Sequence, residues 1–206
     1  DASPEYFKCN GNVPNNVFGN QSSRNSGDGY AGIVVLHSDN FREYITQKLK
    51  ATLINGHSYT ISFYVTLADN SAYAIKQLGL YLSETKLTNG NNHVLDEYDP
   101  QIEYTVGVIK DKAGWVQIKG DFIAKGVENY ITIGNFHVDD ETDKALLDNG
   151  DYPFSYYYID DVSIIDNYPI FSLFPTLPYI CLGGTARLQI VNSSPSNVTY
   201  QWSPTV

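Results

Sequence analysis

The stretch from Ser58 to Leu67 alternates without a break. Tyr59, Ile61, Phe63, Val65 and Leu67 fall on one parity, and Ser58, Thr60, Ser62, Tyr64 and Thr66 on the other. Successive side chains of a strand point to opposite faces, whereas a helix repeats about every 3.6 residues, so this is a half-buried strand of an antiparallel sheet. The turn pair Asn55-Gly56 precedes it. Leu78, Leu80 and Leu82 alternate in the same way with Gly79, Tyr81 and Ser83. Trp115 to Ile118, Tyr130 to Phe136 and Tyr156 to Ile165 read as further strands, as does Tyr30 to Leu36, bounded by Gly27-Asp28-Gly29. Phe41 to Leu49 is open between two readings. Ile45, Lys48 and Leu49 have helical spacing, but Tyr44-Ile45-Thr46 favours strand. Many short strands with turn signals at irregular intervals define an all-β chain, a sandwich or jelly roll.

The chain has 206 residues, enough for one such domain and little beyond it. Lys plus Arg is 13 and Asp plus Glu is 23, a net charge of −10. That balance argues against a nucleic-acid binder, which needs a basic face, and against docking on anionic lipid. No apolar run approaches the roughly 18 residues of a membrane helix. The 17 tyrosines against 2 tryptophans suit sheets and wet binding faces. The chain begins at Asp1 with no signal-like segment and contains no Met, and so reads as a piece of a processed or longer polypeptide. Cys9 and Cys181 are one long-range disulfide of an oxidising compartment, or two thiols that never meet, or residues whose partners lie outside this chain. Asn20-Gln-Ser22, Asn192-Ser-Ser194 and Asn197-Val-Thr199 match the N-glycosylation pattern, which has meaning only in a eukaryotic secretory context.

Two segments are loop-like: the Asn- and Asp-rich Thr88 to Pro100, and the acidic Val138 to Pro153. After Asp166 the composition changes. Residues 167–178 carry three prolines and several aromatics and read as a stiff linker. Residues 179–206 are too few for a sandwich and read as the opening of an immunoglobulin-like domain.

Several motifs occur in a fixed order: Pro14-Asn15-Asn16 through Phe18-Gly19-Asn20-Gln21, Gly29-Tyr30-Ala31-Gly32-Ile33, Arg42-Glu43-Tyr44-Ile45, Tyr64 to Ala74, Tyr130 to Phe136 and Tyr157 to Ile164. Together they resemble the galactose-binding-like, carbohydrate-binding-module-like jelly roll of exported Bacteroidetes surface proteins. The resemblance covers residues 1–166, without the segment that normally forms the first strand. The tail from Cys181-Leu182-Gly183-Gly184 to Tyr200-Gln201-Trp202-Ser203-Pro204 is similar to the start of immunoglobulin-like or PKD-like repeats. The resemblance implies a secreted or cell-surface module, outer-membrane-associated in a Gram-negative bacterium and exported by the type IX pathway. The expected function is non-catalytic recognition of a glycan or surface ligand in adhesion or gliding. The alternative is a structural spacer or protein–protein contact domain of an adhesin or secretion-associated assembly, whose partners are outer-membrane or secretion-machinery proteins.

Sugar recognition needs flat aromatic faces beside amides and carboxylates. Tyr64 and Tyr81 have outward parity. Tyr73 sits by the Ala68 to Ala72 turn, with Asp69 and Asn70 at hand, and Arg42 and Glu43 add polar contacts. The structural alternative is that these tyrosines cover neighbouring strands and that Arg42 and Glu43 form an ion pair. On the closing strand, strict alternation turns Val162 and Ile164 to the core and carries Asp160 with them, an inward carboxylate that needs pairing or a metal. The resemblance implies a structural Ca2+ held by Asp160 and the Ser26-Gly27-Asp28 turn, with Asp28 as the second acid; the first-strand acid of the family is missing. Asp139, Glu141 and Asp143 alternate like an EF-hand loop, but Lys144 stands where that loop requires Gly. Catalysis has little support. His37, His57, His93 and His137 lack metal-ligand spacing, and the sequence has no Gly-x-Ser-x-Gly elbow and no phosphate-cradling glycine loop. The carboxylates are numerous enough to pair by chance, yet nothing singles out an acid and a nucleophile. The chain is therefore expected not to be an enzyme.

Overall fold

A computed structural model describes residues 4–8, 13–24, 27–148 and 150–167, and the backbone of two further strands, 171–175 and 188–192. Both cysteines lie outside the described residues, as do Ser26 and most of 179–206. The chain divides into two units, Asp1–Ile165 and Asp166–Val206.

The first unit is a jelly-roll β-sandwich with no α-helix among the described residues. Its strands are β1 (Glu5–Lys8), β2 (Asn15–Asn16), β3 (Gly19–Asn20), β4 (Gly29–Leu36), β5 (Ile45–Lys48), β6 (Ser58–Leu67), β7 (Tyr73–Ile75) and β8 (Gly79–Ser83). They continue with β9 (Ile102–Glu103), β10 (Val116–Ile123), β11 (Tyr130–Gly134), β12 (Lys144–Leu146) and β13 (Ser155–Asp166). One sheet has the order β1-β4-β13-β6-β10 and the other β5-β11-β8-β9. Two short ribbons, β12-β7 and β2-β3, complete the unit. In the second unit, β14 (Phe171–Pro175) pairs antiparallel with β15 (Leu188–Asn192). The stretch expected to be a Pro-rich linker thus contains a strand: between its prolines, Phe171-Ser-Leu-Phe174 is a run of good β-formers. Phe41 to Leu49 resolves toward strand, since only Ile45–Lys48 is regular and pairs with Tyr130–Ile133. Tyr44-Ile45-Thr46 decides it, because aromatic and β-branched residues pack well on a pleated surface.

Between the sheets lies the main core, with Tyr59, Ile61, Phe63 and Val65 of β6 against Leu78, Leu80 and Leu82. This is the parity the sequence shows. A second core covers the outer face of the five-stranded sheet. There Phe7, Tyr30, Tyr156 and Tyr158 are buried beneath the segment 13–22. Phe18 stacks on Tyr156 at 4.0 Å and 13°. The Asn16 amide ties down both tyrosine tips: Nδ2 donates to Tyr30 Oη (3.1 Å), and Oδ1 accepts from Tyr158 Oη (2.7 Å). A buried tyrosine hydroxyl needs such a partner, and the chain supplies it from its own loop.

The closing strand departs from strict alternation. Tyr157 and Ile159 face the main core, whereas Tyr156 and Tyr158 belong to the outer layer, and Asp160 follows their parity. Asp161 then adopts φ +50. A left-handed residue works like a bulge and shifts the parity by one, so Ile164 packs on the main core; Val162, beside the bulge, is 42% exposed. Asp160 is therefore not a core-facing acid, which corrects the expectation from strict alternation.

Candidate functional site

After β4 the chain makes a tight 3₁₀ turn, Ser38–Asn40. His37 bridges to Phe41 across it, and Phe41 bridges to His93 of the 89–95 loop. Asp39 (φ 62), Asn40 (φ 56) and Asn92 (φ 57) all lie in the left-handed region. Among the described residues, Asp161 alone shares that conformation without being glycine. Asn and Asp reach it at least cost among residues with a side chain, but each instance still has to be enforced by its surroundings.

The enforcement comes from below. Asn40 N donates to Asp139 Oδ2 at 3.0 Å, and Asp139 N donates to Asn40 Oδ1 at 2.7 Å. Val94 N donates to Asn40 O, and Arg42 N donates to Asn92 O. The Arg42 guanidinium is 0% exposed and sits 2.9 Å from Asp139 Oδ1. That contact is a charge pair without good hydrogen-bond angles, and Arg42 Nε has no partner among the described residues. The remaining nitrogens donate to Phe41 O (2.9 Å) and His137 O (2.8 Å). Burial pushes the Arg42 pKa down; Asp139 and Tyr44 oppose that push. Buried Asn135 completes the frame, donating from Nδ2 to Val35 O and Thr142 Oγ1, both at 3.0 Å.

Above this frame two clefts adjoin, of ≈ 210 and ≈ 310 Å³, sharing His37 and Ser38. Phe41, Asp39, Asn92 and His93 line one side. Tyr73, Asp139 and Lys144 line the other. The His37 ring meets Phe41 edge-on at 5.9 Å. The result is an open depression that alternates flat rings with a carboxylate, an amide, a hydroxyl and an ammonium.

The expected contact residues fare unequally. Tyr73 lines the cleft. Arg42 is corrected from surface contact to buried frame, because its guanidinium is committed beneath the cleft and pairs with Asp139, not Glu43. Glu43 is itself buried, with Oε2 accepting from Val34 N at 2.8 Å. Asp69 and Asn70 come together, but to hold the 13–22 segment: Asp69 Oδ2 accepts from Asn20 N (2.8 Å), and Asn70 Nδ2 donates to Val17 O (3.1 Å). Tyr64 carries the Arg24 guanidinium 3.2 Å above its ring. Tyr81 packs with Tyr98 at 5.1 Å on the outer face of the other sheet. Tyr64 and Tyr81 thus stand on opposite sides of the sandwich, where one small ligand does not reach both. Sequence reading missed His37, Phe41, Asn92 and His93. Their one signal is polar Asn and Asp pairs flanked by aromatics, which elsewhere in this chain mark ordinary turns.

Of the expected calcium ligands, Asp160 is already engaged by nitrogen donors. Asp160 Oδ2 accepts from Arg24 N (2.9 Å) and Oδ1 from Asp161 N (2.7 Å), while Arg24 pairs with Asp161. N–H donors and a guanidinium stand where a cation needs oxygens. Asp28 is exposed, and no group of three His, Cys, Asp or Glu side chains gathers among the described residues. The Asp139, Glu141 and Asp143 set also disperses, as Asp139 pairs with Arg42 and Asp143 with Lys76.

Sheet order and burial together define an all-β, jelly-roll sandwich module. No family model matches the sequence, and no curated protein matches it. Among solved structures, the CBM22-1 xylan-binding domain of Paenibacillus barcinonensis Xyn10C is 14% identical over 78% of this chain and 85% of that one, with a TM-score of 0.40. The K1 cleaved adhesin domain of Lys-gingipain from Porphyromonas gingivalis W83 is 16% identical over 80% of this chain and 90% of that one, at 0.42. The CBM22-2 xylan-binding domain of the same Paenibacillus protein is 15% identical over 69% and 81%, at 0.43. At such scores the likeness says nothing about a ligand.

Proposed function

We propose that this chain is a non-catalytic recognition module of an exported surface protein and that it binds a glycan in the His37–Phe41 cleft. The observation that carries the reading is that two enforced left-handed residues, Asp39 and Asn92, line one cleft, with a third, Asn40, in the frame beside it, and that the cleft sets rings beside a carboxylate and an amide. Backbone strain held by a buried polar frame is characteristic of binding sites, and rings with convergent polar groups suit the apolar faces and hydroxyls of a sugar. The sequence resemblance to surface jelly rolls supports the same reading.

A glycan array probed with the wild-type chain and with His93→Ala and Asp39→Asn tests it. Both residues are exposed, so the fold should survive, and asparagine keeps the left-handed backbone affordable. The expected result is a saccharide signal that falls about tenfold or more in each variant, a loss of about 1.4 kcal/mol. No signal on a broad panel refutes glycan binding, and turnover of a polysaccharide refutes the non-catalytic assignment. One observation favours the spacer reading: Ile54, Ile123 and Val127 are exposed around adjoining turns at one end of the sandwich, where Gly56 N bonds Ala124 O and Leu53 N bonds Glu128 O. That reading predicts capture of a protein partner that Ile123→Lys abolishes and His93→Ala spares.

A further inference from the structure

We propose that a second cleft, on the far side of the 89–95 loop, receives the carboxylate of an acidic sugar. Deep Leu87 packs with Tyr44, Leu95 and Phe136. Its burial leaves its neighbours Lys86 and Thr88 exposed at the mouth of a cleft of ≈ 370 Å³. Asn89 fixes one wall by donating from Nδ2 to Arg42 O at 2.9 Å. The Tyr44 hydroxyl is committed, donating to Asn135 O (2.7 Å) and accepting from Leu95 N (3.0 Å), so Tyr44 offers the ligand its ring.

The charge pattern selects the ligand. This chain carries 23 acids against 13 bases, yet no carboxylate lines the cleft. No described residue pairs with the Lys86 ammonium. Lys48, two residues beyond lining Thr46, is exposed on the same face of β5. Asp96 and Glu97, the acids next along the chain from Leu95, are exposed and outside the lining, although their charges reach Tyr44 on its wall. An apolar floor of Ile45, Leu87 and Leu95 matches the face of a sugar ring, and the ammonium at its rim matches a carboxylate. The first cleft differs, since Asp39 and Asp139 line it. The proposal rests on the glycan reading of the module but uses none of the same residues.

The test is an NMR titration of the isotope-labelled chain with methyl glucuronide, methyl glucoside and a blocked dipeptide with a free carboxylate. The glucuronide should shift the amides of Lys86, Thr88 and Leu95 with millimolar affinity, weakened about two- to fivefold by Lys86→Gln and further by salt. His93→Ala should leave this binding unchanged while lowering the array signal about tenfold or more, which separates failure here from failure of the first cleft. Equal shifts with the uncharged glucoside overturn the proposal, and so do equal shifts with the dipeptide, which would mark a peptide-terminus site. Absence of shifts at about 20 mM, or an unchanged affinity in Lys86→Gln, overturns it as well.

Discussion

At the scale of the residue, a few buried charged side chains, among them Arg42 and Glu43, serve as internal frame. Arg42 is the clearest case. Truncating one partner of a buried pair leaves the other charge uncompensated, at a cost of about 3–5 kcal/mol. Arg42→Ala should cost that much, because Asp139 loses its counter-charge and the carbonyls of Phe41 and His137 lose their donor. Denaturant melts measure it, and a loss under about 1 kcal/mol would show that the frame stands without the cation. Arg42→Lys should recover little, since a lysine has no planar fork to reach both carbonyls. Glu43 runs the other way. Burial, opposed by the Val34 N–H and reinforced by Glu5, raises its pKa from 4.5. A raised acid favours the protonated native state, so its contribution is full below pH 4.5 and is lost as pH rises through the folded value. Glu43→Gln, which keeps an acceptor for Val34, should therefore gain stability relative to the wild type as pH rises from about 4 to 7. Parallel melts across that range check the trend, and a constant difference would refute it.

At the scale of the element, glycine placement decides what the outer face of the five-stranded sheet can hold. Gly32 on β4 lies under the Tyr156 ring, and a Cβ there would stand 2.3 Å from the Tyr156 hydroxyl oxygen. That hydroxyl donates to Glu5 Oε2 at 2.8 Å, so the ring cannot shift without releasing β1. Gly32→Ala should cost about 1–3 kcal/mol as overpacking, read as a lower denaturation midpoint with unchanged slope. Gly56→Ala meets no atom at all, and its cost comes only from φ +78. The same face shows what was legible in the sequence. The parity of β6 and β8 could be read directly, because strands with one buried face write their burial into alternation. The second aromatic layer could not. Strict alternation with Val162 and Ile164 turns Tyr156 and Tyr158 to the main core, whereas they lie on the opposite face, which only the return of residues 13–22 over them makes interior. Asp161 is equally silent: one left-handed residue turns Ile164 to the main core while Asp160 before it keeps the outward parity of Tyr156 and Tyr158, and nothing in Ile159-Asp160-Asp161-Val162 announces it. Tyr73 was found in the cleft wall because it borders a turn, whereas His37 and His93 are brought together by bridges between segments far apart in the chain.

At the scale of the whole molecule, the tyrosine content becomes a stability property. Tyr30, Tyr44, Tyr156, Tyr157 and Tyr158 are all buried, and burial is the largest cause raising each pKa above 10.0, that of Tyr30 to about 12 and the others higher still. The sign follows from linkage. The native state holds these protons where the unfolded state has released them, so stability falls as pH rises. The contribution is complete below pH 10 and is lost as pH climbs through the folded values, beginning with Tyr30 near 12. Five protons held by the native state alone correspond to about 7 kcal/mol per pH unit. A domain of ordinary stability, about 5–15 kcal/mol, does not survive that slope for more than one to two units. The chain should therefore unfold cooperatively within about two units above pH 10. The ultraviolet phenolate signal should show a steep step that coincides with loss of the β-type circular dichroism. If phenolate absorbance instead rose smoothly to completion while the dichroism stayed native, these rings would be reachable by hydroxide in the folded state, and the buried aromatic layer would not exist.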